Sequence, residues 1–409
     1  MKKAQAVLAA CLLAPALALA FATVDTLPWP SEGRFPAYEA DPARPTDLWV
    51  HAGVMRDDNL LRLQSGGEAD TVSRLGGGIR VAQRVIGRQR LRLEARADYY
   101  KFQQFDRLDH LAYSALADWR WEIGNKLSGS IAFGRARRLV DIAETLAAVR
   151  SLVTATRVAA TGGYLVTPSL RLRAGLAGTR TERTVVEDAE TRAASLTAGI
   201  DYVSPLGNAI GVEARTTDGN APVDEDVFGV GISNDYRERE VALVATYALG
   251  PRLRAEGRFG RTTRRYPELS NRDFEGNTWR VAGEWLPGNK TRLELEFYKE
   301  PRSIIEVGAP HVVLKGVSFG PSWAATNKLV FSARLLREDR TFEGDPELAV
   351  APGATVRDDT IQAVRFGVGW EPVRHWQVGL AIDRGERESN LDGRDYQYSA
   401  LSANLAWRY

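Results

Sequence analysis

From Asp47 to Tyr409 apolar and polar residues alternate with a period of two, and no helical period competes over most of that length. Leu91, Leu93, Ala95 and Ala97 take one face while Arg90, Arg92, Glu94, Arg96 and Asp98 take the other. The same reading sets Leu170, Leu172, Ala174 and Leu176 against Arg171 and Arg173, and Leu253, Ala255 and Phe259 against Arg252, Arg254, Glu256 and Arg258. It sets Trp279, Val281 and Trp285 against Arg280 and Glu284, Leu293, Leu295 and Phe297 against Arg292, Glu294 and Glu296, and Val364, Phe366 and Val368 against Arg365. Each segment predicts a strand with one greasy face and one charged face.

A soluble sandwich also alternates, so the connections decide. Tight turns are predicted at Ile86-Gly87-Arg88, Ile123-Gly124-Asn125, Thr167-Pro168-Ser169, Pro205-Leu206-Gly207, Gly250-Pro251, Pro287-Gly288-Asn289, Ala325-Thr326-Asn327 and Pro372-Val373-Arg374. Longer segments such as 57–70, 138–152, 216–233, 264–274 and 341–358 fall between them. Short turns alternating with long loops are the signature of a membrane barrel. Eight turns and nine loops predict about eighteen strands, with sixteen as the alternative count. A soluble core would not bury charge on one face of nearly every strand. The expected fold is an all-β, antiparallel up-and-down transmembrane barrel over 47–409.

The ends of the chain agree. Lys2 and Lys3 precede an apolar run from Ala4 to Ala20 that closes on Ala18-Leu19-Ala20, the form of a cleaved secretory signal over 1–20. The Pro-rich stretch 21–46 is expected to be a periplasmic extension without a strand of its own. The chain closes on Leu405, Trp407 and Tyr409, alternating with polar or small residues. This ending resembles the signal read by the barrel-assembly machinery of Gram-negative outer membranes. The expected location is therefore that membrane, in contact with its lipid. Trp119, Trp121, Trp285, Trp323, Trp370, Trp376, Trp407 and Tyr409 fall near the proposed short-turn ends, as an interfacial aromatic girdle would.

Composition narrows the chemistry. No apolar run after the signal reaches the roughly 20 residues of a helical span. Net charge is +2 with 26% charged residues, which sets aside nucleic-acid binding by bulk charge. The single cysteine, Cys11, lies in the signal and excludes disulfides and cysteine metal sites from the mature chain; Leu8-Ala9-Ala10-Cys11 also reads as a lipobox, the alternative in which Cys11 carries lipid. His51, His110, His311 and His375 are scattered without metal-ligand spacing. No nucleophile elbow or phosphate loop occurs, and neither an enzyme activity nor a cofactor is expected.

The candidate site is the lumen. The pore-lining set expected from the alternation is Arg90, Arg92, Glu94, Arg96, Asp98, Asp118, Arg120, Arg171, Arg173, Arg252, Arg254, Glu256, Arg258, Arg280, Glu284, Arg292, Glu294 and Arg365. Guanidinium forks suit carboxylate and sugar oxygens, and they equally lock neighbouring carboxylates into wall-stiffening pairs. Leu139, Ile142, Leu146 and Val149 follow helical spacing within 138–150, predicting a short helix that either constricts the lumen or caps it from outside.

Several segments in order, Asp58-Asn59-Leu60-Leu61-Arg62-Leu63, Arg88-Gln89-Arg90-Leu91, Tyr99-Tyr100-Lys101-Phe102, Leu108-Asp109-His110, Trp119-Arg120-Trp121, Leu127-Ser128-Gly129 and Arg135 to Arg138, carry a resemblance. Together they resemble the EpsL family, exopolysaccharide-biosynthesis outer-membrane proteins that accompany exosortase systems. The likeness is strongest over 55–140 and continues in architecture to Tyr409. It implies a barrel that exports a polysaccharide from periplasm to cell surface, with periplasmic or inner-membrane synthesis components as partners. It supplies no catalytic residues. The alternatives are a porin for small solutes and a non-conducting barrel that anchors the secretion complex.

Overall fold

The computed structural model describes residues 45–140, 142–145, 149–184, 190–221, 225–227, 230–268, 270–302, 312–343 and 356–409. The proposed signal and nearly all of the extension, and Leu146, lie outside these residues. The strands are β1 (Thr46–Asp57), β2 (Asp70–Arg84), β3 (Arg90–Phe102), β4 (His110–Ile123), β5 (Leu127–Leu139), β6 (Leu152–Thr167), β7 (Leu170–Arg183), β8 (Thr191–Val203), β9 (Ala209–Asn220), β10 (Glu225–Val227) and β11 (Val230–Ile232). They continue as β12 (Tyr236–Leu249), β13 (Leu253–Arg265), β14 (Phe274–Trp285), β15 (Thr291–Arg302), β16 (Val312–Ala324), β17 (Leu329–Thr341), β18 (Asp358–Trp370), β19 (Trp376–Ser389) and β20 (Tyr396–Arg408). Among the described residues one short α-helix, α1, covers Ile142–Thr145.

Eighteen strands form one antiparallel sheet in which each pairs with its neighbour in sequence, and β20 pairs with β1 to close it. The hairpin β10–β11 stands apart in the loop between β9 and β12. Closure runs from Trp49↔Arg408 to Asp57↔Ala400, and Leu48 and Tyr409 extend it by exchanging backbone hydrogen bonds at 2.9 and 3.3 Å. In hydrocarbon an unpaired backbone group costs several kcal/mol, so a sheet with no free edge is the form that strands of this length can take there.

Over the middle of the wall the large apolar side chains point outward and stay exposed, among them Leu172, Leu176, Leu196, Ile200, Val241, Leu243, Leu380 and Ile382. The residues between them face inward. All eight predicted turns are present as short connections on one end of the barrel. Gly87 and Gly124 take φ of +55° and +61° there, a region in which a side chain would be strained. The outward tryptophans Trp119, Trp285, Trp323, Trp370 and Trp376 sit at this short-turn end. The 138–150 expectation needs correction in extent. Leu139 ends β5, laddered to Leu152, and only Ile142–Thr145 is helical among the described residues, because strand pairing claims the backbone before the helix begins.

Two inward glycines set the wall's geometry. His51, Gly76 and Asp98 lie on one register line across β1, β2 and β3, and the bare Gly76 lets the His51 and Asp98 side chains meet above it. A Cβ at Gly76 would come within 2.4 Å of Asp98 Oδ1 and 2.5 Å of the Ala97 carbonyl, and one at Gly78 within 2.4 Å of the Trp49 ring. Gly76→Val should therefore destabilise the barrel by about 1–3 kcal/mol through overpacking. Heat-modifiable gel mobility will check this: the variant should unfold at clearly lower temperature than the parent.

Candidate functional site

Inward-facing arginines and carboxylates interlock in three sectors. In the first, Asp98 accepts from Arg96 at 2.6 Å, contacts His51 Nε2 at 2.5 Å and lies 3.8 Å from Arg74. Glu94 is shared by Arg80 at 3.0 Å and Arg92 at 2.8 Å, and Arg120 holds Asp118 at 2.8 Å.

The second sector is a continuous chain across five strands. Arg171 and Arg173 on β7 both donate to Asp201 on β8, at 2.7 Å, and Asp201 is only 2% exposed. Arg173 also reaches Glu213 on β9 at 2.7 Å. Arg258 on β13 then spans β12 to reach the same Glu213 at 2.7 Å, while holding Glu240 at 2.6 Å. Arg215 joins Glu240 at 2.7 Å, and Arg264 closes on Glu238 at 2.7 Å. Each carboxylate here takes two or more guanidinium donors, which suits its four lone-pair sites.

In the third sector, Arg280 pairs with Glu296 and lies 3.3 Å from Glu300, and Arg292 lies 3.7 Å from Glu284 and 3.8 Å from Glu294. Arg365 pairs with Asp383, and Glu338 accepts from Tyr298 and from Arg340. Arg334 is 3.8 Å from Glu294, yet its side chain is 60% exposed although it faces inward from the middle of β17. Water therefore reaches the interior face at the waist of the barrel.

The alternation sets the expected lining residues on this inward face, with Arg252 the exception: it lies in the short turn before β13. Arg90 and Glu256 face inward without an ion-pair partner among the described residues. So does Arg157 on β6, whose Nε is buried with no acceptor. Its flanking positions on the same face are small, Gly134, Ala155, Ala159 and Thr179. Sequence reading missed Arg157 because β6 is rich in Ala, Gly and Thr and shows little contrast between faces. It also left His51 unassigned and missed the inward Trp49, whose neighbours gave no hint of the bare glycines opposite.

At the long-loop end, α1 folds inward. Ile142 packs with Met55, Val72, Tyr100, Phe102, Leu108, Leu139 and Ala400 in one apolar cluster on the inner wall. The Ala143 carbonyl accepts from Arg387 on β19 at 3.3 Å, and Arg387 lies over the Tyr396 ring. The segment that leaves β5 thus reaches across the mouth to β19, covering the inner ends of β1 to β4 and β20. Val149, the remaining described member of the predicted helix, is exposed and not part of this cluster. His110 stacks on Tyr100 at 4.9 Å and donates from Nδ1 to the Leu108 carbonyl at 2.8 Å, a structural role at the rim. His375 occupies the turn before β19 and stacks on Tyr409, so Trp407, Tyr409 and this turn make one aromatic corner. His311 lies outside the described residues.

No protein-family model and no curated protein matches the chain. Among solved structures it is similar to OccK2 (OpdF) of Pseudomonas aeruginosa, with a TM-score of 0.47 and 11% identity over 89% of this chain and 97% of that one. It is similar also to the outer membrane protein OpdK of Pseudomonas aeruginosa, with a TM-score of 0.43 and 12% identity over 89% and 99% of the two chains. A third is the alcaligin outer membrane receptor FauA of Bordetella pertussis, with a TM-score of 0.42 and 12% identity over 88% and 76%. At these distances no function is transferred from any of them.

The ion-pair chain makes a direct prediction. Asp201→Asn leaves Arg171 with one neutral acceptor and Arg173 with Glu213 alone, and should cost roughly 3–5 kcal/mol, the penalty for stranding buried charge. Thermal unfolding in detergent measures it, and Asp218→Asn, on an exposed outward pair with Arg237, should shift the midpoint far less.

Proposed function

We propose that the chain is an outer-membrane channel that passes small polar and charged solutes through its lumen. The observation that carries this reading is the solvent reach of Arg334 and Glu294, whose inward side chains are 60% and 46% exposed at the waist. A lumen lined by many paired charges offers a solute numerous weak contacts in place of its hydration shell, and none strong enough to hold it. The inward fold of the α1 segment narrows the long-loop mouth, which favours small solutes over an unobstructed polymer. Arg157, lacking a carboxylate, adds an uncompensated positive charge to the inner wall and biases passage toward anions. With short turns at one end and long loops at the other, the barrel sits with its short turns in the periplasm. The closing residues Leu405, Trp407 and Tyr409 serve the barrel-assembly machinery in reaching that membrane.

A second reading, export of an exopolysaccharide delivered by periplasmic or inner-membrane synthesis components, draws on the EpsL resemblance over 55–140. Guanidinium and carboxylate groups along the wall would serve sugar hydroxyls as well as small ions. A third, a silent barrel that anchors a secretion complex, draws on the density of wall ion pairs.

Planar-bilayer recording separates them. Purified protein should give discrete current steps; Arg157→Glu should move the reversal potential in a salt gradient toward cations; and removing residues 141–148 should raise the conductance. A barrel that inserts without current supports the anchor. An in-frame deletion strain that loses extracellular polysaccharide and retains it in the periplasm supports export.

A further inference from the structure

The outward faces of the strands change character toward the long-loop end, where basic residues follow the apolar band. Several of these are paired with acids on the same face. Arg180 and Arg192 stand directly opposite each other on β7 and β8; Glu182 and Glu190 answer Arg180 at 2.7 and 2.8 Å, and Glu190 also pairs with Arg192. Arg237 and Arg265 stand opposite on β12 and β13, and Asp218, Asp273 and Glu275 answer them at 2.7, 3.0 and 2.7 Å. Lys299 and Lys315 stand opposite on β15 and β16, with Asp339 the next register partner of Lys315 and Glu343 within the influence of Lys299. Like charges placed opposite one another destabilise a sheet, so these acids belong to the design of the rim.

Other outward bases go unanswered singly, such as Arg239 between Thr216 and Thr263, but on β5 two stand together. Arg135 and Arg137 on β5 share the outward face, two residues and about 7 Å apart, and neither has an ion-pair partner among the described residues. Their outward neighbours are Ala115 and Tyr113 on β4 and Thr156 and Thr154 on β6, hydroxyl or methyl groups and no acid. The Nε of Arg137 is buried with no hydrogen-bond acceptor. Directly below lie the lipid-facing Ile131, Phe133 and Val158.

We propose that Arg135 and Arg137, with the hydroxyls of Thr154, Thr156 and Tyr113, bind the phosphate of an outer-leaflet glycolipid of the lipid A type. The arrangement matches that amphiphile from both ends. Two guanidinium forks and three hydroxyls supply charge-assisted and neutral donors to phosphate oxygens, and the apolar side chains below take the acyl chains. The absent acid is what an anionic headgroup requires, since a carboxylate here would repel it. This site lies on the outside of the wall and is independent of what passes through the lumen.

The test uses the full mature chain, delipidated in detergent and then incubated with bisphosphorylated lipid A or with its dephosphorylated form. Native mass spectrometry counts lipid retained per barrel. The parent should retain the bisphosphorylated form in clear preference, Arg135→Gln/Arg137→Gln should retain it about tenfold less, and Arg135→Lys/Arg137→Lys should recover most of the difference. Heat-modifiable mobility verifies that each variant is a folded barrel. Equal retention of the two lipid forms by the parent overturns the proposal, whatever the variants do. Displacement of the lipid by inorganic phosphate alone also overturns it, marking a site for free anion.

Discussion

A strand edge placed in hydrocarbon leaves its outward N–H and C=O groups without partners at several kcal/mol each, and β1 avoids this by pairing with β20 along nearly its whole length. Every other feature of the molecule is subordinate to that closure. Once the sheet is a cylinder, each strand has one face in lipid and one in the enclosed space, so alternation in sequence becomes a division between two solvents. The aromatic corner of His375, Trp407 and Tyr409 lies at the seam, where the final residues must be held in register.

The enclosed face carries more charge than an apolar core would tolerate, and two devices make it stable. Water reaches part of the wall, as the exposure of Arg334 attests. Elsewhere the carboxylates are held by several guanidinium groups at once, as Asp201 and Glu213 are. Planar forks that extend over a neighbouring strand suit this role better than a point charge on a flexible stem, and arginine greatly outnumbers lysine in the chain. The same network that stiffens the wall gives passing solutes their contacts, so stability and passage draw on one set of residues.

Strand existence, turn positions and the orientation of most inward charges were legible in the sequence because lipid and lumen impose opposite chemistries on adjacent residues. Legibility failed where that contrast fades. In Val312-Val313-Leu314 and Tyr99-Tyr100 both faces are apolar, and the inward members turn out to pack under loops, Tyr100 in the α1 cluster and Val312 and Leu314 with Tyr298 and Phe342. Arg157 hid in a strand of small residues. The partner of each arginine was not readable either, since Arg258 reaches Glu213 across an intervening strand that periodicity alone cannot foresee. The path of the segment after β5 depends on contacts distant in sequence, Arg387 to the Ala143 carbonyl and Ile142 with residues such as Met55 and Ala400, which periodicity cannot show.

The inward face of this barrel is wetted while the outward face is in lipid, and labelling along one strand tells the two apart. With Cys11 the only cysteine and confined to the proposed signal, single cysteines can be placed along β17 from Val330 to Arg340 in the mature chain. A small, charged, membrane-impermeant thiol reagent, applied to the protein in membranes, should label Ser332→Cys and Arg334→Cys and spare Ala333→Cys and Leu335→Cys. Uniform protection at all four positions, or labelling confined to Ala333→Cys and Leu335→Cys, would mean that water does not reach the inward face.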